Sequence, residues 1–370
     1  MQNLAHDLAP CAVGPGEIFV LGLKDVPSAM DWREQGRRTV ALQAMDAARI
    51  HTIVRLFAVA LALGTLGIAL AGPRRIYGAE VPCMSAAPDV WAVSTRGLPD
   101  VCRLPDSVNF RVQRLRSDGT AWDRSDLESL LDEPHRPVMV FIHGNRYTHA
   151  EARQQGLELA RREAASCGSG LRTIIFSWPS EQQGILLKDG RAKYERAFSE
   201  GRYLAWLLGQ FEPHRPVAIV GYSFGAIITL EAIEDLLKAE RAGATAVRPL
   251  TGRSGPVNVV FIAAAVRSDA LAPRGPYREA LDHIDRLTLL VNSDDDALRF
   301  FRFLDCRQRA EALGYVGMPG RWIPAGMPYA SFDAAGIVGR THGFPYYLSS
   351  PSLMRRICTG ATTGLETPAD

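Results

Sequence analysis

From about residue 84 to residue 358 the apolar positions of this chain follow two alternating patterns. Short, nearly unbroken apolar runs begin at Val138 (VMVFIHGN), Thr173 (TIIFSWP), Val217 (VAIVGY), Val257 (VNVVFIAAAV) and Leu287 (LTLLVN). Such runs predict strands buried on both faces, as in a parallel sheet. Between them, apolar residues recur at helical spacing. Leu157, Ala160 and Ala164 share one face, as do Tyr194, Ala197, Phe198, Gly201, Leu204, Leu208 and Phe211, and then Ile227, Leu230, Ile233 and Leu237. Further helices are expected near 277–284 and from Ala297.

Local signals mark the boundaries. Thr148-x-x-Glu151 and Ser125-x-x-Glu128 have capping-box spacing, the second for a short helix ending near Leu131, and CGSG at 167–170 is a glycine stop. Residues 107–115 (SVNFRVQRL) alternate like a strand exposed on one side, and the chain beyond the helix at Ala297 reads as loop-rich. Strands alternating with helices of this length predict an α/β fold with a mostly parallel, doubly wound sheet.

The run at 217–222 leads through Gly221-Tyr222-Ser223-Phe224-Gly225 into a helical pattern. A strand, Gly-x-Ser-x-Gly and a helix in succession are the context of a nucleophile elbow, a strained turn that lifts a serine hydroxyl above the sheet in α/β-hydrolases. A hydroxyl is a weak nucleophile near neutral pH. It needs an imidazole base, which needs a carboxylate to fix its tautomer. In this fold the order is serine, acid, histidine, and among eight histidines only His342 follows the last expected strand. The acid belongs at the end of the second strand after the elbow, where Asp294, Asp295 and Asp296 stand in a row. Asp295 is the expected acid, Asp269 the alternative, and Asp294 or Asp296 the expected cap of the next helix. The backbone N–H groups of Phe224 and Asn145 would form an oxyanion hole, with His143 structural. Tyr222 and Trp178 are candidate substrate contacts, a core position being the rival role for Trp178.

Composition fits one large core with an appended segment: 370 residues, 47% hydrophobic and 22% charged. A formal charge of +2 gives no electrostatic reason to expect a nucleic-acid partner. No cysteine and histidine spacing suggests zinc, and the expected chemistry needs no cofactor. Residues 1–55 are poorly patterned, whereas residues 56–71 (LFAVALALGTLGIALA) are charge-free and apolar, with Arg49 and Arg55 before them and Arg74 and Arg75 after. That run is slightly short of the roughly 20 residues of a membrane span and overlaps the length of a signal-peptide core. Two outcomes are expected: an export signal starting from Met45 and cleaved after Ala71, or a membrane anchor with the domain outside. A buried helix is disfavoured because the run has no polar face. The hydrolase domain is expected over 84–358, with a flexible tail from 359. In an oxidising compartment Cys83 with Cys102, and Cys306 with Cys358, are candidate disulfides, ordinary thiols being the alternative.

Four segments together, FIHGN at 141–145, FSWPS at 176–180, GYSFG at 221–225 and VNSDDDAL at 291–298, resemble the bacterial α/β-hydrolase family of unknown function grouped with esterase and lipase superfamily enzymes. The resemblance spans about 138–347 and implies Asp295 as acid and the Thr341-His342-Gly343 loop as base. This chain departs from it at Tyr222 and Phe224, where the family usually has His and a small residue or Met. The expected function is therefore a serine hydrolase, a carboxylesterase acting on a small acyl ester through Ser223, His342 and Asp295. A thioesterase or amidase is the alternative within enzymes, and a membrane-tethered scaffold the alternative outside them.

Overall fold

The computed structural model describes residues 88–168, 170–304 and 309–365. The strands β1 (Asp89–Ser94), β2 (Arg111–Leu115), β3 (Trp122–Ser125), β4 (Val138–Ile142), β5 (Arg172–Ser177), β6 (Val217–Tyr222), β7 (Val257–Ile262), β8 (Arg286–Val291) and β9 (Tyr329–Asp333) form one sheet in the order β3-β2-β1-β5-β4-β6-β7-β8-β9. Every pairing from β1 to β9 is parallel, and β2 and β3 extend one edge antiparallel. This is the α/β-hydrolase type of sheet. Strands β4, β5, β6 and β7 are buried at every residue, which is why their sequences are apolar without alternation.

The helices are α1 (Leu127–Leu131), α2 (His149–Ser166), α3 (Leu186–Leu208), α4 (Gly225–Arg241), α5 (Arg278–Leu281), α6 (Asp296–Arg299), α7 (Leu313–Val316), α8 (Ala335–Val338), α9 (Phe344–Ser349) and α10 (Pro351–Thr362). Helices α2, α9 and α10 pack together, and α3 packs along α4. The Thr148 capping box forms as expected: Thr148 Oγ1 accepts from the Glu151 amide at 3.2 Å and Glu151 Oε2 from the Thr148 amide at 2.8 Å.

Several expectations are corrected. Helix α1 is capped by Asp126, which accepts from the Ser129 amide at 2.8 Å; Ser125 belongs to β3 instead. The strand expected from 107 begins at Arg111. Strand β7 stops at Ile262, short of 266, because Ala263 turns into left-handed backbone with φ 47°. Helix α3 begins at Leu186, ahead of the apolar stripe expected from Tyr194. Strands β1, β3 and β9 lie in stretches where no strand was expected. The tail expected from 359 is helical through Thr362, and Leu365 is buried.

Arginine 172 explains how β1 is held at the amino-terminal edge of the sheet. Fully buried beneath Trp91, its guanidinium donates to Asp89 Oδ2 at 2.7 Å and to the carbonyls of Leu130 and Asp132 at 2.8 and 2.7 Å. The buried cation is thus paired and hydrogen-bonded, as burial of charge requires.

At the opposite edge, the register sets the site. Ile142 pairs with Gly221, Tyr222 with Ile262, and Ile262 with Leu290. The loops leaving β4, β6 and, one strand further on, β8 therefore emerge at the same end of the sheet, carrying Asn145, Ser223 and Asp295.

Cys358 is bonded to Cys167, with Cα atoms 6.0 Å apart, and not to Cys306. Cys102 takes part in a disulfide, whereas Cys83, its expected partner, and Cys306 lie outside the described residues, as does the apolar run at 56–71. Among the described residues no helix is long and apolar enough to cross a membrane.

The Cys167–Cys358 bond joins the end of α2 to α10 across 191 positions. Closing so long a loop restricts the unfolded chain strongly, so replacing both cysteines by serine should lower the unfolding free energy by about 2–4 kcal/mol. Urea unfolding of the two proteins measures this, and coincident midpoints would contradict it.

Candidate active site

Ser223 occupies left-handed backbone with φ 54°, a conformation rare and costly for a residue with a side chain. Its surroundings impose it. The Ser223 amide donates to the Ile262 carbonyl at 3.0 Å, and its carbonyl accepts from Ala226 and Ala265 at 3.1 and 3.0 Å. Both flanking glycines are sterically required: a Cβ on Gly221 would lie 2.9 Å from the Gly225 backbone, and one on Gly225 2.2 Å from the Ile142 carbonyl oxygen. The turn is the sharp strand-to-helix elbow expected from the sequence.

His342 Nε2 lies 2.8 Å from Ser223 Oγ, and His342 Nδ1 lies 2.6 Å from Asp295 Oδ2. The carboxylate on the Nδ1 side places the proton there and leaves the Nε2 lone pair facing the serine hydroxyl. Asp295 is wholly buried, and its second oxygen accepts from the amides of Ala297 and Leu298 at 2.9 and 3.0 Å. Asp295 is thus also the N-cap of α6, a role expected of Asp294 or Asp296. Asp296 instead pairs with Arg340 at 3.0 Å, beside the base. Asp269, the alternative acid, is bound to Arg267 at 2.6 Å.

The loop carrying His342 is anchored on three sides. Asn292 Nδ2 donates to the carbonyls of Gly339 and Thr341 at 2.9 and 3.3 Å, the Asp296 amide donates to the Arg340 carbonyl at 3.1 Å, and the Tyr222 hydroxyl donates to the His342 carbonyl. None of these three anchors was foreseen in this role. Asn292 ends an apolar strand beside the aspartates, and a buried amide there is the one sequence signal that could have marked it.

The oxyanion candidates lie where the fold lets them act. Among the described residues the amides of Phe224 and Asn145 donate to no other group. Gly144 is pressed against Ser223, since a Cβ there would lie 2.9 Å from Ser223 Cβ. His143 fixes the next peptide. Its Nδ1 donates to the Gly144 carbonyl at 2.8 Å and its Nε2 accepts from the Trp178 amide at 3.2 Å. Because C=O and N–H of a trans peptide point in opposite directions, a Gly144 carbonyl held by His143 turns the Asn145 amide away from that ring. Complete burial lowers the His143 pKa to about 3, so the ring is neutral.

Of the two substrate-contact candidates, one takes its core alternative and the other is corrected. Trp178 lies in the core and not as a substrate contact: it is fully buried, stacked on His143 at 5.7 Å, with its indole N–H donating to the His143 carbonyl at 2.8 Å. Tyr222 is buried against Phe344 and holds the His342 loop, so it is a positioning residue. Phe224, next to Ser223 in the chain, is in ring contact with Tyr194 at 6.2 Å, and Tyr194 with Phe301 at 5.9 Å. Ser223 is buried, whereas a quarter of the His342 side chain is exposed.

A mostly parallel sheet, a left-handed serine at an elbow and a histidine and carboxylate delivered by later loops define an α/β-hydrolase. Residues 121–317, more than half of the chain, match the family described as "Alpha/beta hydrolase of unknown function (DUF900)", and the chain belongs to that family. No curated protein matches it. Distant likenesses exist among solved structures. Esterase B from Lactobacillus rhamnosis is 12% identical over 84% of this chain and 93% of that one, with a TM-score of 0.35. A cutinase-like protein from Cryptococcus sp. is 16% identical over 63% of this chain and 97% of that one, with a TM-score of 0.29. A putative carboxylesterase from Lactobacillus plantarum is 15% identical over 64% and 84%, with a TM-score of 0.30. Similarities this distant carry no argument about substrate.

Removing the Tyr222 hydroxyl should loosen the His342 loop without touching the pocket. For Tyr222→Phe, a stability loss of about 1 kcal/mol is expected, together with a kcat about tenfold lower at little-changed KM for any ester the protein turns over. A kcat equal to wild type would remove Tyr222 from the positioning role.

His143 gives a pH dependence. An unfolded histidine titrates near its ordinary value of 6.5, the folded one at about 3, so between these values the unfolded state binds the extra proton and stability falls as pH falls. Glu231, raised to about 7 by burial and the neighbouring Asp235, works in the opposite direction, so the comparison is made against His143→Gln. The stability difference between wild type and variant should shrink by up to roughly 1.4 kcal/mol per pH unit below pH 6. Urea titrations at pH 7, 6 and 5 measure it, and a constant difference would refute the assignment.

Proposed function

We propose that this chain is a serine hydrolase cleaving carboxylic esters with short acyl groups, with Ser223 as nucleophile, His342 as general base and acid, and Asp295 as the residue that orients and stabilises the imidazole. The observation that carries the proposal is the continuous hydrogen-bonded relay from Ser223 Oγ through His342 to a buried Asp295, at 2.8 and 2.6 Å.

In the proposed reaction the ester carbonyl oxygen enters between the amides of Phe224 and Asn145. Ser223 Oγ attacks the carbonyl carbon while His342 Nε2 takes its proton, and the oxygen that gains negative charge is met by the two N–H groups. An oxyanion donor of this kind contributes roughly 3–4 kcal/mol to the transition state. The tetrahedral adduct collapses as His342 returns the proton to the leaving alkoxide, which departs as the alcohol. Water then attacks the acyl-serine with His342 again as base, releasing the acid and restoring the serine hydroxyl. Asp295 stays ionised throughout and stabilises the transient imidazolium. Preference for short acyl groups follows from the low exposure of Ser223 and the aromatic side chains packed beyond Phe224.

The test is hydrolysis of p-nitrophenyl acetate, butyrate and palmitate, together with fluorophosphonate labelling, by the full-length protein in non-ionic detergent. Turnover is expected to fall along that series, and Ser223→Ala should cut it by roughly 10⁴-fold or more and abolish labelling. Hydrolysis and labelling that survive in a folded Ser223→Ala protein would sink the proposal, as would a folded wild type that neither reacts nor labels.

A further inference from the structure

A groove of about 310 Å³ opens between α10 and the strands β8 and β9. Its floor is Thr288, Ala330, Phe332 and Gly360, and its rim is Arg286, Arg355, Arg356, Ser352 and Thr359. The groove runs along the two strands from Arg286, the first residue of β8, to Phe332, which pairs with Leu290, and its lining includes none of Ser223, His342 and Asp295.

The sequence of α10 explains the groove. Leu353, Met354, Ile357, Cys358 and Ala361 are buried, which turns Ser352, Arg355, Arg356 and Thr359, at helical spacing, toward the outer side. An exposed polar stripe is ordinary on a surface helix, and three features separate this one from that case. The stripe overhangs a cavity in the size range of small-molecule sites. No carboxylate lines the cavity, and among the described residues none of its three arginines forms an ion pair, whereas Arg172, Arg196 and Arg202 do. The Arg356 guanidinium is stacked on the Phe332 ring, 3.5 Å from its centroid. Stacking occupies the face of a guanidinium and leaves the N–H donors in its plane available.

We propose that this groove binds a phosphate monoester group carried on a compact organic body. Three guanidiniums and the hydroxyls of Ser352 and Thr359 offer more donors than one carboxylate can accept, and the terminal oxygens of a phosphate monoester match them. The apolar floor of Ala330 and Phe332 receives the body that carries the phosphate. The same headgroup chemistry occurs on soluble phosphate esters and on phosphatidic acid.

The test is calorimetric titration of the full-length protein in non-ionic detergent with phenyl phosphate, at low and raised NaCl. Wild type should bind, more weakly at high salt, and Arg355→Ala/Arg356→Ala should bind at least about tenfold more weakly with p-nitrophenyl ester hydrolysis unchanged. Arg286→Gln, which leaves α10 intact, is expected to weaken binding in the same direction if the double variant fails to fold. Equal affinity in wild type and variants, or no heat with wild type at millimolar ligand, would overturn the site. Competition then identifies the source: displacement by dihexanoyl phosphatidic acid at lower concentration than by inorganic phosphate assigns a lipid headgroup, and displacement by inorganic phosphate alone a soluble ester.

Discussion

The constraint on which the rest depends is the close approach of α4 to β4 and β6 at the elbow. The Ile142 carbonyl stands where residue 225 has no room for a side chain, and the Gly225 backbone stands where residue 221 has none. With strand and helix this close, the connection between them must turn within two residues, and Ser223 takes the left-handed conformation because its amide and carbonyl are both held by neighbouring strands and loops. Strain of this kind persists only where the surroundings over-determine it. Here they are a fully buried set of parallel strands, so the cost is met by the largest packed part of the molecule.

Asp295 shows economy of another sort. A carboxylate removed from water must find partners for both oxygens. One oxygen takes the first amides of α6, which any helix leaves unpaired, and the other takes the imidazole. The same side chain thus starts a helix and holds the His342 ring, and its orientation toward His342 is fixed by the cap. His143 works comparably on the other side of the serine: buried neutral, it uses one nitrogen on the Gly144 carbonyl and the other on the Trp178 amide, joining two loops that leave adjacent strands.

Much of this was legible in the chain. The buried parallel strands announce themselves as unbroken apolar runs because neither face meets water, and the elbow is legible because only glycine fits at two of its positions. Asp295 and His342 follow from strand order alone. The relation of side chains across loops was not legible: Tyr222 looks like a lining residue when only its neighbour Ser223 is in view, and its hydrogen bond to His342 spans 120 positions. For Trp178 nothing local says which way an indole after a strand will turn, so pocket and core were both open, and it lies in the core. The edge strands β3 and β9 escaped because they are half exposed and short, with polar residues such as Asp123, Arg124 and Ser331 breaking the apolar pattern.

The disulfide between Cys167 and Cys358 places a condition on time as well as on structure. Synthesis proceeds from the amino terminus, so α2 and its cysteine emerge long before α10, and the bond cannot close until the 191 positions between its cysteines have been made. His342 and its loop arrive in the same late interval. A nascent chain of this protein therefore carries its serine through 119 further positions without the histidine that pairs with it, and the covalent clasp can close only after that histidine has been added.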